Sequence, residues 1–317
     1  MHQLLILSQD ENKYRALIEE ARLVKLDEIV SRPTNDVDIV LGEPSLIKAA
    51  LASLPALSWA QSIWAGIEPL VGPASRRDYI LTNARGVFGG LMSEYVIGYL
   101  LAHERKLFQK LEAQKNKIWD ESETGTLRGK TIGLLGVGSI GAEVARTAKF
   151  FGMNVRGYTR DSETSTHVDK YYHPKSPFSL REKAEDEGLL DFANGLDYLV
   201  NILPNTVDTR KVVGADLLNA LPSHALVINV GRGQAVDESA LIEALNQNKI
   251  AGAALDVFEQ EPLPKDHPFW ITPNLLMTFH TAAPSLPEDI VNLFLENYEL
   301  FLEGKPLKYQ VDFEKGY

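Results

Sequence analysis

The chain has 317 residues, 44% of them hydrophobic and 24% charged, and this length exceeds the usual size of one core, so we expect two domains. Its formal net charge of −11, without a long Lys/Arg run, argues against nucleic acid or an anionic membrane as the main partner. Cysteine is absent, so disulfides, thiolate metal sites and a cysteine nucleophile are excluded. No metal site is predicted. An unbridged chain without a signal-like start is typical of a cytoplasmic protein.

Strands alternate with helices over residues 1–84, which predicts a first α/β unit with a mostly parallel sheet. The predicted strands cover residues 2–8, 38–41, 57–64 and 79–82, and the predicted helices cover residues 11–21 and 44–51. The turn Trp64-Ala65-Gly66 ends the third strand, and backbone N–H groups freed there could hold a carboxylate. From this stretch alone, a plain turn is the favoured interpretation.

The next segment links this unit to a glycine-rich motif. One long helix is predicted over residues 91–110, and its position suggests that it crosses the domain boundary. A polar loop over residues 119–129 then leads into the apolar strand that begins TIGLLGVGSIG, residues 131–141. A helical pattern follows over residues 142–151, so the glycines lie between a strand and a helix, which is the context that makes a G-x-G-x-x-G motif informative.

Each glycine of this motif has a physical role in binding a dinucleotide. Gly136 allows the tight turn, Gly138 lets the backbone approach a pyrophosphate, and Gly141 lets the helix pack closely on the strand. The helix N-terminus then offers N–H groups and a positive dipole end to the phosphates. The alternative is an ordinary strand-to-helix turn with three chance glycines.

The end of the second strand of a dinucleotide fold meets the adenosine ribose, about 20 residues after the glycines. A strand is predicted over residues 154–158, and the residue that follows it is Thr159, with Arg160 next. An acid here would select NAD, whereas a guanidinium can bind a 2′-phosphate through charge-assisted hydrogen bonds. We therefore predict a preference for NADP. Asp161 is the counter-signal, because it would be the NAD-type acid if the register were shifted.

The remaining strands of this unit end in three polar side chains. Strands are predicted over residues 197–203, 225–230, 251–257 and 275–279, and helices over residues 180–192, 215–221 and 237–247, with Asp237 as an N-cap. Arg232, Glu261 and His280 follow the last three strands, at the sheet edge where ligands bind in open α/β folds. Taken singly they could be a surface charge, a loop acid and a structural histidine.

Together these three side chains suit the reduction of a 2-oxo acid. Histidine exchanges protons near neutral pH, and a neighbouring carboxylate favours its charged form and fixes its tautomer. Arginine can bind the substrate carboxylate and polarise the carbonyl. The chemistry then needs a bound nicotinamide cofactor as hydride donor.

At this point the chain resembles the D-isomer-specific 2-hydroxyacid dehydrogenase family, and within it the short glyoxylate/hydroxypyruvate reductase group. The resemblance covers most of the chain. The matching stretches are WAGIE (64–68), NARGVFGGLMSEYVIGYLL (83–101), LRGKTIGLLGVGSIG (127–141), ILPNTVDT (202–209), INVGRGQAVDE (228–238), ALDVFEQEPLP (254–264) and FHTAAP (279–284).

This resemblance implies a fold, domain limits and residue roles. It implies a Rossmann-type nucleotide domain over residues 98–284, inserted into a flavodoxin-like substrate domain over residues 1–97 and 285–317 that ends in a helix near residues 287–304. Members are usually homodimers that pair through the nucleotide domain. Arg232 would bind the substrate, His280 would be the acid and base, Glu261 would pair with His280, and Trp64, Ala65 and Gly66 would hold the substrate carboxylate. The implied cofactor-binding residues are Gly136, Gly138, Ser139, Ile140, Gly141, Thr159, Arg160, Leu203, Pro204, Thr209, Val230 and Asp256.

Three departures from the family pattern bear on specificity: Phe279 replaces a common proline, Thr159 replaces the ribose-binding acid, and Trp64 stands where relatives often have a smaller residue. The leading hypothesis is an NAD(P)H-dependent reductase of a small 2-oxo acid, such as glyoxylate or hydroxypyruvate, with NADP preferred. The alternative is a non-catalytic nucleotide-sensing protein, similar to the family's corepressors. Intact Arg232, Glu261 and His280 favour the enzyme.

Overall fold

The computed structural model describes residues 2–72, 74–160, 163–174 and 187–314. It forms two compact units, one of Met1–Phe88 with Pro284–Tyr317 and one of Gly89–Ala283. The first boundary between the units thus precedes the helix that begins at Gly89, whereas the sequence predicted this boundary within that helix, between residues 97 and 98. The reason is packing, since Val96, Ile97 and Leu100 belong to the core of the second unit.

The first unit is built on a five-stranded parallel sheet with the order β2-β1-β3-β4-β5. Its strands are β1 (His2–Leu7), β2 (Leu26–Val30), β3 (Ile39–Gly42), β4 (Trp59–Ser62) and β5 (Ile80–Thr82), and its helices are α1 (Glu11–Ala21), α2 (Pro44–Ala50) and α9 (Pro287–Leu302). This strand order is that of flavodoxin-like folds, as predicted. The edge strand β2 was not predicted, because its sequence LDEIV is polar and half-exposed and lacks an apolar run.

Helix α9 completes the core of the first unit from the far end of the chain. The ring of Trp59, which is fully buried in β4, stacks on the ring of Phe294 with centroids 5.0 Å apart. The buried Asn297 side chain donates to Gln61 Oε1 at 3.0 Å and accepts from the N–H of Lys308 at 2.7 Å. Burial of an aromatic side chain is worth roughly 2–3 kcal/mol, so the late segment contributes strongly to this unit.

The second unit is built on a seven-stranded parallel sheet with the order β12-β11-β10-β9-β6-β7-β8. Its strands are β6 (Thr131–Leu135), β7 (Asn154–Tyr158), β8 (Lys170–Tyr172), β9 (Tyr198–Asn201), β10 (Leu226–Asn229), β11 (Gly252–Leu255) and β12 (Leu275–Met277). Its helices are α3 (Gly89–Glu104), α4 (Leu107–Lys115), α5 (Ser139–Phe150), α6 (Glu187–Ala193), α7 (Ala215–Ala220) and α8 (Glu238–Asn246). If β6 is numbered 1 and the later strands follow in chain order, the sheet read from the β8 edge has the order 3-2-1-4-5-6-7. This is the Rossmann-type order, so the predicted Rossmann-type sheet is confirmed.

The single long helix predicted over residues 91–110 is wrong. The structure has two helices there, α3 and α4, because Lys106 adopts a left-handed backbone conformation with φ 51° and ends the regular hydrogen bonding. No residue of α4 is buried, and it exposes the apolar side chains of Leu107, Phe108 and Leu111.

Two further differences concern the polar segment between β7 and β9. The structure has a short strand there, β8, that the sequence pattern did not predict. The described part of helix α6 is Glu187–Ala193, and the rest of the helix predicted over residues 180–192, residues 180–186, lies outside the described residues. The predicted N-cap of α8 is confirmed, because the Asp237 carboxylate accepts from the N–H of Ala240 at 3.2 Å. No helix in the described part of the chain combines the length and apolar character needed to cross a membrane.

Candidate active site

The glycine turn between β6 and α5 has the geometry that its sequence predicted. Gly136 has φ +97°, a left-handed conformation that favours glycine. A Cβ on Gly141 would lie 2.3 Å from the carbonyl oxygen of Gly136, so only glycine lets the helix start this close to the strand end. Both positions are therefore glycine for reasons of the turn itself.

At Gly138, in contrast to Gly136 and Gly141, no neighbouring protein atom requires a glycine. A Cβ there would meet no protein atom within 4 Å, and Gly138 and Ser139 are exposed. Gly138 is also the N-cap of α5, and it supplies no side chain to cap the helix. This leaves space in front of a positive helix end, which fits the pyrophosphate of a dinucleotide. Ile140, half-buried in the first turn, packs against the core below.

Strand β7 ends at the residue that the sequence predicted. The strand stops at Tyr158, so Thr159 is the first residue beyond its carboxyl end, and its N–H donates to the carbonyl of Tyr172 on β8 at 3.1 Å. Arg160 follows and forms an exposed ion pair with Asp208, with 3.3 Å between Nη2 and Oδ2. The competing acid of the sequence analysis, Asp161, lies outside the described residues.

The loop after β9 carries three residues predicted to contact the cofactor, namely Leu203, Pro204 and Thr209. The buried Thr209 hydroxyl donates to the carbonyl of Pro204 at 2.6 Å and accepts from the N–H of Thr206 at 2.9 Å. Thr209 therefore shapes this loop from inside, while Pro204 is exposed at its start. Val230 is buried and donates its N–H to the carbonyl of Asn201 at 3.1 Å.

Arg232 lies between two glycines that pack against neighbouring backbone. A Cβ on Gly231 would lie 2.8 Å from the carbonyl oxygen of Leu203, and one on Gly233 would lie 1.8 Å from the carbonyl carbon of Phe258. The second contact joins the Arg232 loop to the segment that leads to Glu261. The Arg232 guanidinium donates to the carbonyl of Gly231 at 2.8 Å and is partly exposed.

A buried pair of asparagines also supports the Arg232 loop, and the sequence pattern did not predict it. Asn201 ends β9 and donates from Nδ2 to Oδ1 of Asn229, which ends β10, at 2.8 Å. Asn229 in turn donates to the carbonyl of Arg232 at 3.1 Å and accepts from the N–H of Gly231 at 3.2 Å. The available signal was a polar residue near the end of an otherwise apolar strand in both DYLVNIL and ALVINV.

The structure brings Glu261 and His280 together. Glu261 Oε2 lies 2.7 Å from His280 Nδ1, and Glu261 Oε1 accepts from the N–H of Phe258 at 2.9 Å. Because a carboxylate only accepts, Nδ1 carries a proton, and Nε2 is the nitrogen left for exchange with a substrate. The side chain of His280 is 59% exposed, so a small molecule can approach it.

Asp256 holds the backbone that carries His280. Its side chain is buried and accepts from the N–H of Thr281 at 2.9 Å, the N–H of Ala282 at 3.0 Å and the hydroxyl of Thr278 at 2.5 Å. The Tyr95 hydroxyl lies 2.7 Å from the Thr278 oxygen, and burial raises the pKa of Tyr95, so its hydroxyl stays neutral. The predicted role of Asp256 in binding the cofactor stays a prediction, and this positioning role stands beside it.

The turn Trp64-Ala65-Gly66 belongs to the first unit. The Trp64 N–H donates to Ser62 Oγ at 3.0 Å, and the Ser62 hydroxyl donates to the carbonyl of Trp64 at 2.9 Å. Trp64 is 42% exposed. Because the Trp64 N–H is already bonded, a carboxylate nest at this turn would rest on the N–H groups of Ala65 and Gly66.

The chain is similar to known proteins. The family described as "D-isomer specific 2-hydroxyacid dehydrogenase, NAD binding domain" matches residues 97–282. Glyoxylate/hydroxypyruvate reductase A of Salmonella heidelberg is 34% identical over 227 residues, which cover 71% of this chain and 69% of that protein.

Two solved structures match over nearly the whole chain. A D-isomer specific 2-hydroxyacid dehydrogenase family protein from Aeromonas salmonicida is 39% identical, with a TM-score of 0.86 and coverage of 98% of this chain and 99% of that one. A D-isomer specific 2-hydroxyacid dehydrogenase from Xanthobacter autotrophicus Py2, in complex with NADPH and MES, is 30% identical, with a TM-score of 0.87 and coverage of 100% and 99%.

Proposed function

The chain belongs to the D-isomer specific 2-hydroxyacid dehydrogenase family, and from this membership we propose that it is an NADPH-dependent reductase of a small 2-oxo acid. The substrate class is that of glyoxylate and hydroxypyruvate, and the product is the D-2-hydroxy acid. The similarity to a glyoxylate/hydroxypyruvate reductase supports this class. The single observation that carries the catalytic part is the pairing of Glu261 with His280 at 2.7 Å, beside the loop that presents Arg232.

In this mechanism, Arg232 binds the carboxylate of the substrate and polarises the carbonyl to be reduced. His280 donates the proton from Nε2 to the carbonyl oxygen, and in the oxidation direction it takes the proton back. Glu261 accepts from Nδ1 throughout, which fixes the tautomer and stabilises the imidazolium before transfer. Bound NADPH supplies the hydride.

The preference for NADP rests on the end of β7. Thr159 offers no carboxylate to a ribose, and the exposed Arg160 guanidinium can form paired charge-assisted bonds with a 2′-phosphate. The related structure that contains NADPH supports this choice. Gly138, Ser139 and the N-terminus of α5 would hold the pyrophosphate, and Ile140, Leu203, Pro204, Thr209 and Val230 would shape the walls around the cofactor.

We assign the size of the substrate from Trp64. An exposed indole beside the Ala65 and Gly66 N–H groups would leave room for a short substrate side chain. The homodimer and the cytoplasmic location expected from the sequence remain proposals. For the homodimer, the exposed apolar side chains of α4 in the second unit offer a surface that a second copy would cover.

The test is a set of initial rates with glyoxylate and hydroxypyruvate, each with NADPH and with NADH. We expect reduction of at least one substrate and a clear preference for NADPH, and Arg160→Asp should reverse that preference. His280→Ala should lower kcat by at least about a hundredfold. His224→Gln is the matched control, because His224 is an exposed histidine that pairs with Asp197.

The outcome also decides between the enzyme and the nucleotide sensor. Tight NADPH binding without turnover of any 2-oxo acid in a wider panel would favour the sensor. Turnover that His280→Ala leaves unchanged would show that the proton comes from another group.

A further inference from the structure

His173 lies at the same sheet edge as the residues assigned to the adenosine ribose. It is the first residue after β8, the strand next to β7, and Tyr158 and Tyr172 are paired across these two strands. His173 and Thr159 are thus the first residues beyond two adjacent strand ends. The ring of His173 reaches across to β7, with Nδ1 2.9 Å from the carbonyl oxygen of Thr159.

The contacts of the His173 ring identify it as a cation. A backbone carbonyl only accepts hydrogen bonds, so Nδ1 carries a proton. The other ring nitrogen, Nε2, lies 2.6 Å from Glu163 Oε1, and an ionised carboxylate also only accepts. With both nitrogens protonated, His173 is an imidazolium. In agreement, the hydrogen bond to Glu163 raises the pKa of His173, against an opposing effect of burial.

Arg160, which follows Thr159 in the chain, also forms an exposed ion pair with a carboxylate. Its guanidinium pairs with Asp208 at 3.3 Å, as His173 pairs with Glu163. All four side chains are substantially exposed, with relative accessibilities of 50% and 41% for the first pair and 37% and 56% for the second. Exposed ion pairs are worth about 0–1 kcal/mol, so an anion of higher charge can displace either carboxylate.

We propose that His173 is a second cationic ligand for the 2′-phosphate of NADPH, beside Arg160, and that the phosphate displaces the Glu163 carboxylate from it. This inference rests on the proposed NADPH-dependent function and deepens it. A phosphate with a second pKa near 6 is a dianion at neutral pH and offers three acceptor oxygens, so it can serve two cations together. Among the described residues, Glu163 is the charged group within hydrogen-bonding distance of the His173 ring, and Thr159, whose carbonyl accepts from Nδ1, is followed in the chain by Arg160 with its partner Asp208.

A pH dependence of cofactor choice follows. His173 is protonated below its raised pKa and neutral above it, so its attraction for the phosphate is lost as the pH rises through that raised pKa. NADH lacks the 2′-phosphate, so its binding should not depend on the protonation of His173. The ratio of NADPH to NADH efficiency therefore removes titrations that affect both cofactors, and comparison with His173→Gln separates the titration of His173 from that of the 2′-phosphate.

The experiment measures binding of adenosine 2′,5′-bisphosphate and of 5′-AMP to the full chain by calorimetry over a pH series. These fragments differ only in the 2′-phosphate and need no catalysis. We expect His173→Gln to weaken binding of the bisphosphate by roughly three- to tenfold, to leave 5′-AMP unchanged and to flatten the pH dependence. His224→Gln is the control and should change neither fragment.

A second variant gives the opposite sign, which loss of folding cannot imitate. Glu163→Gln removes the competing carboxylate and, at a pH low enough to keep His173 protonated without that carboxylate, should tighten binding of the bisphosphate by about threefold. If the wild type prefers the bisphosphate and His173→Gln keeps the full preference, the role of His173 is refuted while the NADPH assignment stands. If the wild type binds both fragments equally at every pH, the NADPH assignment and the role of His173 both fail.

Discussion

The backbone N–H of His280 donates to the carbonyl oxygen of Asp256 at 2.7 Å, and the Asp256 carboxylate accepts from the next two backbone N–H groups. His280 itself has φ 57°, a left-handed conformation that costs a non-glycine residue about 1–2 kcal/mol. The hydrogen bonds to Asp256 offset this cost. One buried acid on the adjacent strand end therefore sets the direction in which the proposed proton donor points.

Asp256→Asn tests this positioning. In the variant, an amide NH₂ would replace one carboxylate oxygen and would face a backbone N–H donor. That buried N–H would then lack an acceptor, which costs about 1–3 kcal/mol. We expect a lower free energy of unfolding by denaturant and a fall in kcat, because the His280 turn is released. Thr278→Val is the milder control, since it removes one donor and keeps both backbone bonds. Unchanged stability and unchanged kcat in Asp256→Asn would contradict the positioning role.

Glu261→Gln tests the pairing with His280. The variant can still accept from the N–H of Phe258, so the loop should keep its shape, but the negative charge next to the imidazolium is lost. We expect kcat/KM to fall by roughly ten- to a hundredfold, while NADPH binding stays constant. Glu259→Gln, at an exposed neighbouring position, should match the wild type. An equal effect of both substitutions would mean that loop charge, and not the pair, matters.

The Asn201 and Asn229 side chains should act as one unit. Either change to Ala leaves buried polar partners unsatisfied, so each single variant should lose about 1–3 kcal/mol of unfolding free energy. The double variant should lose less than the sum, with a coupling of about 1 kcal/mol. Since Asn229 also holds the Arg232 loop, Asn229→Ala should raise the KM for the 2-oxo acid more than Asn201→Ala does. Strict additivity in a double-mutant cycle would argue against coupling.

Asp237 should make stability depend on pH. Burial would raise its pKa, but the N–H of Ala240 and the Lys211 ammonium outweigh burial, and the net pKa is lowered below 3.8. Its contribution is therefore present above that value and is lost as the pH falls through the lowered pKa. We expect Asp237→Ala to cost about 1 kcal/mol near neutral pH and little in strong acid. Asp237→Asn should keep part of the cap but lose the pH dependence, as thermal melts over a pH series would reveal.

The apolar surface of α4 gives a test of assembly. Leu107, Phe108 and Leu111 are each at least half exposed in the single chain, with 53%, 55% and 50% of their surface accessible. If the chain forms the proposed homodimer through this helix, Leu111→Lys should shift it toward the monomer in sedimentation velocity. Gln109→Lys adds the same charge at another exposed position of α4 and should leave the assembly intact. A wild type that sediments as a monomer at all concentrations would refute the homodimer.

Local patterns predicted much of this structure. The glycine turn follows from local backbone sterics, and β7 (NVRGY) lies at its predicted limits. The adjacency of Glu261 and His280 could also be expected, since parallel strands end at one edge of the sheet. In each of these cases, the determining interactions lie within a few residues or follow from the sheet.

Long-range contacts account for what the sequence did not predict. The partner of Asn201 is on another strand, and the partners of His173 are a backbone carbonyl and a carboxylate that no motif identifies. The break at Lys106 needed a left-handed residue that is neither glycine nor asparagine, so the helical pattern continued through it. The short strand β8 is recognisable only by its pairing with β7.

The stacking of Trp59 on Phe294 has a consequence for the order of folding during synthesis. All five strands of the first unit emerge from the ribosome early, yet the helix that covers Trp59 and supplies Asn297 emerges only after the entire second unit. The second unit can therefore fold first, and until α9 is synthesised the apolar face of the sheet in the first unit stays uncovered. We infer that this interval is when the nascent chain is most exposed to aggregation and most in need of a chaperone.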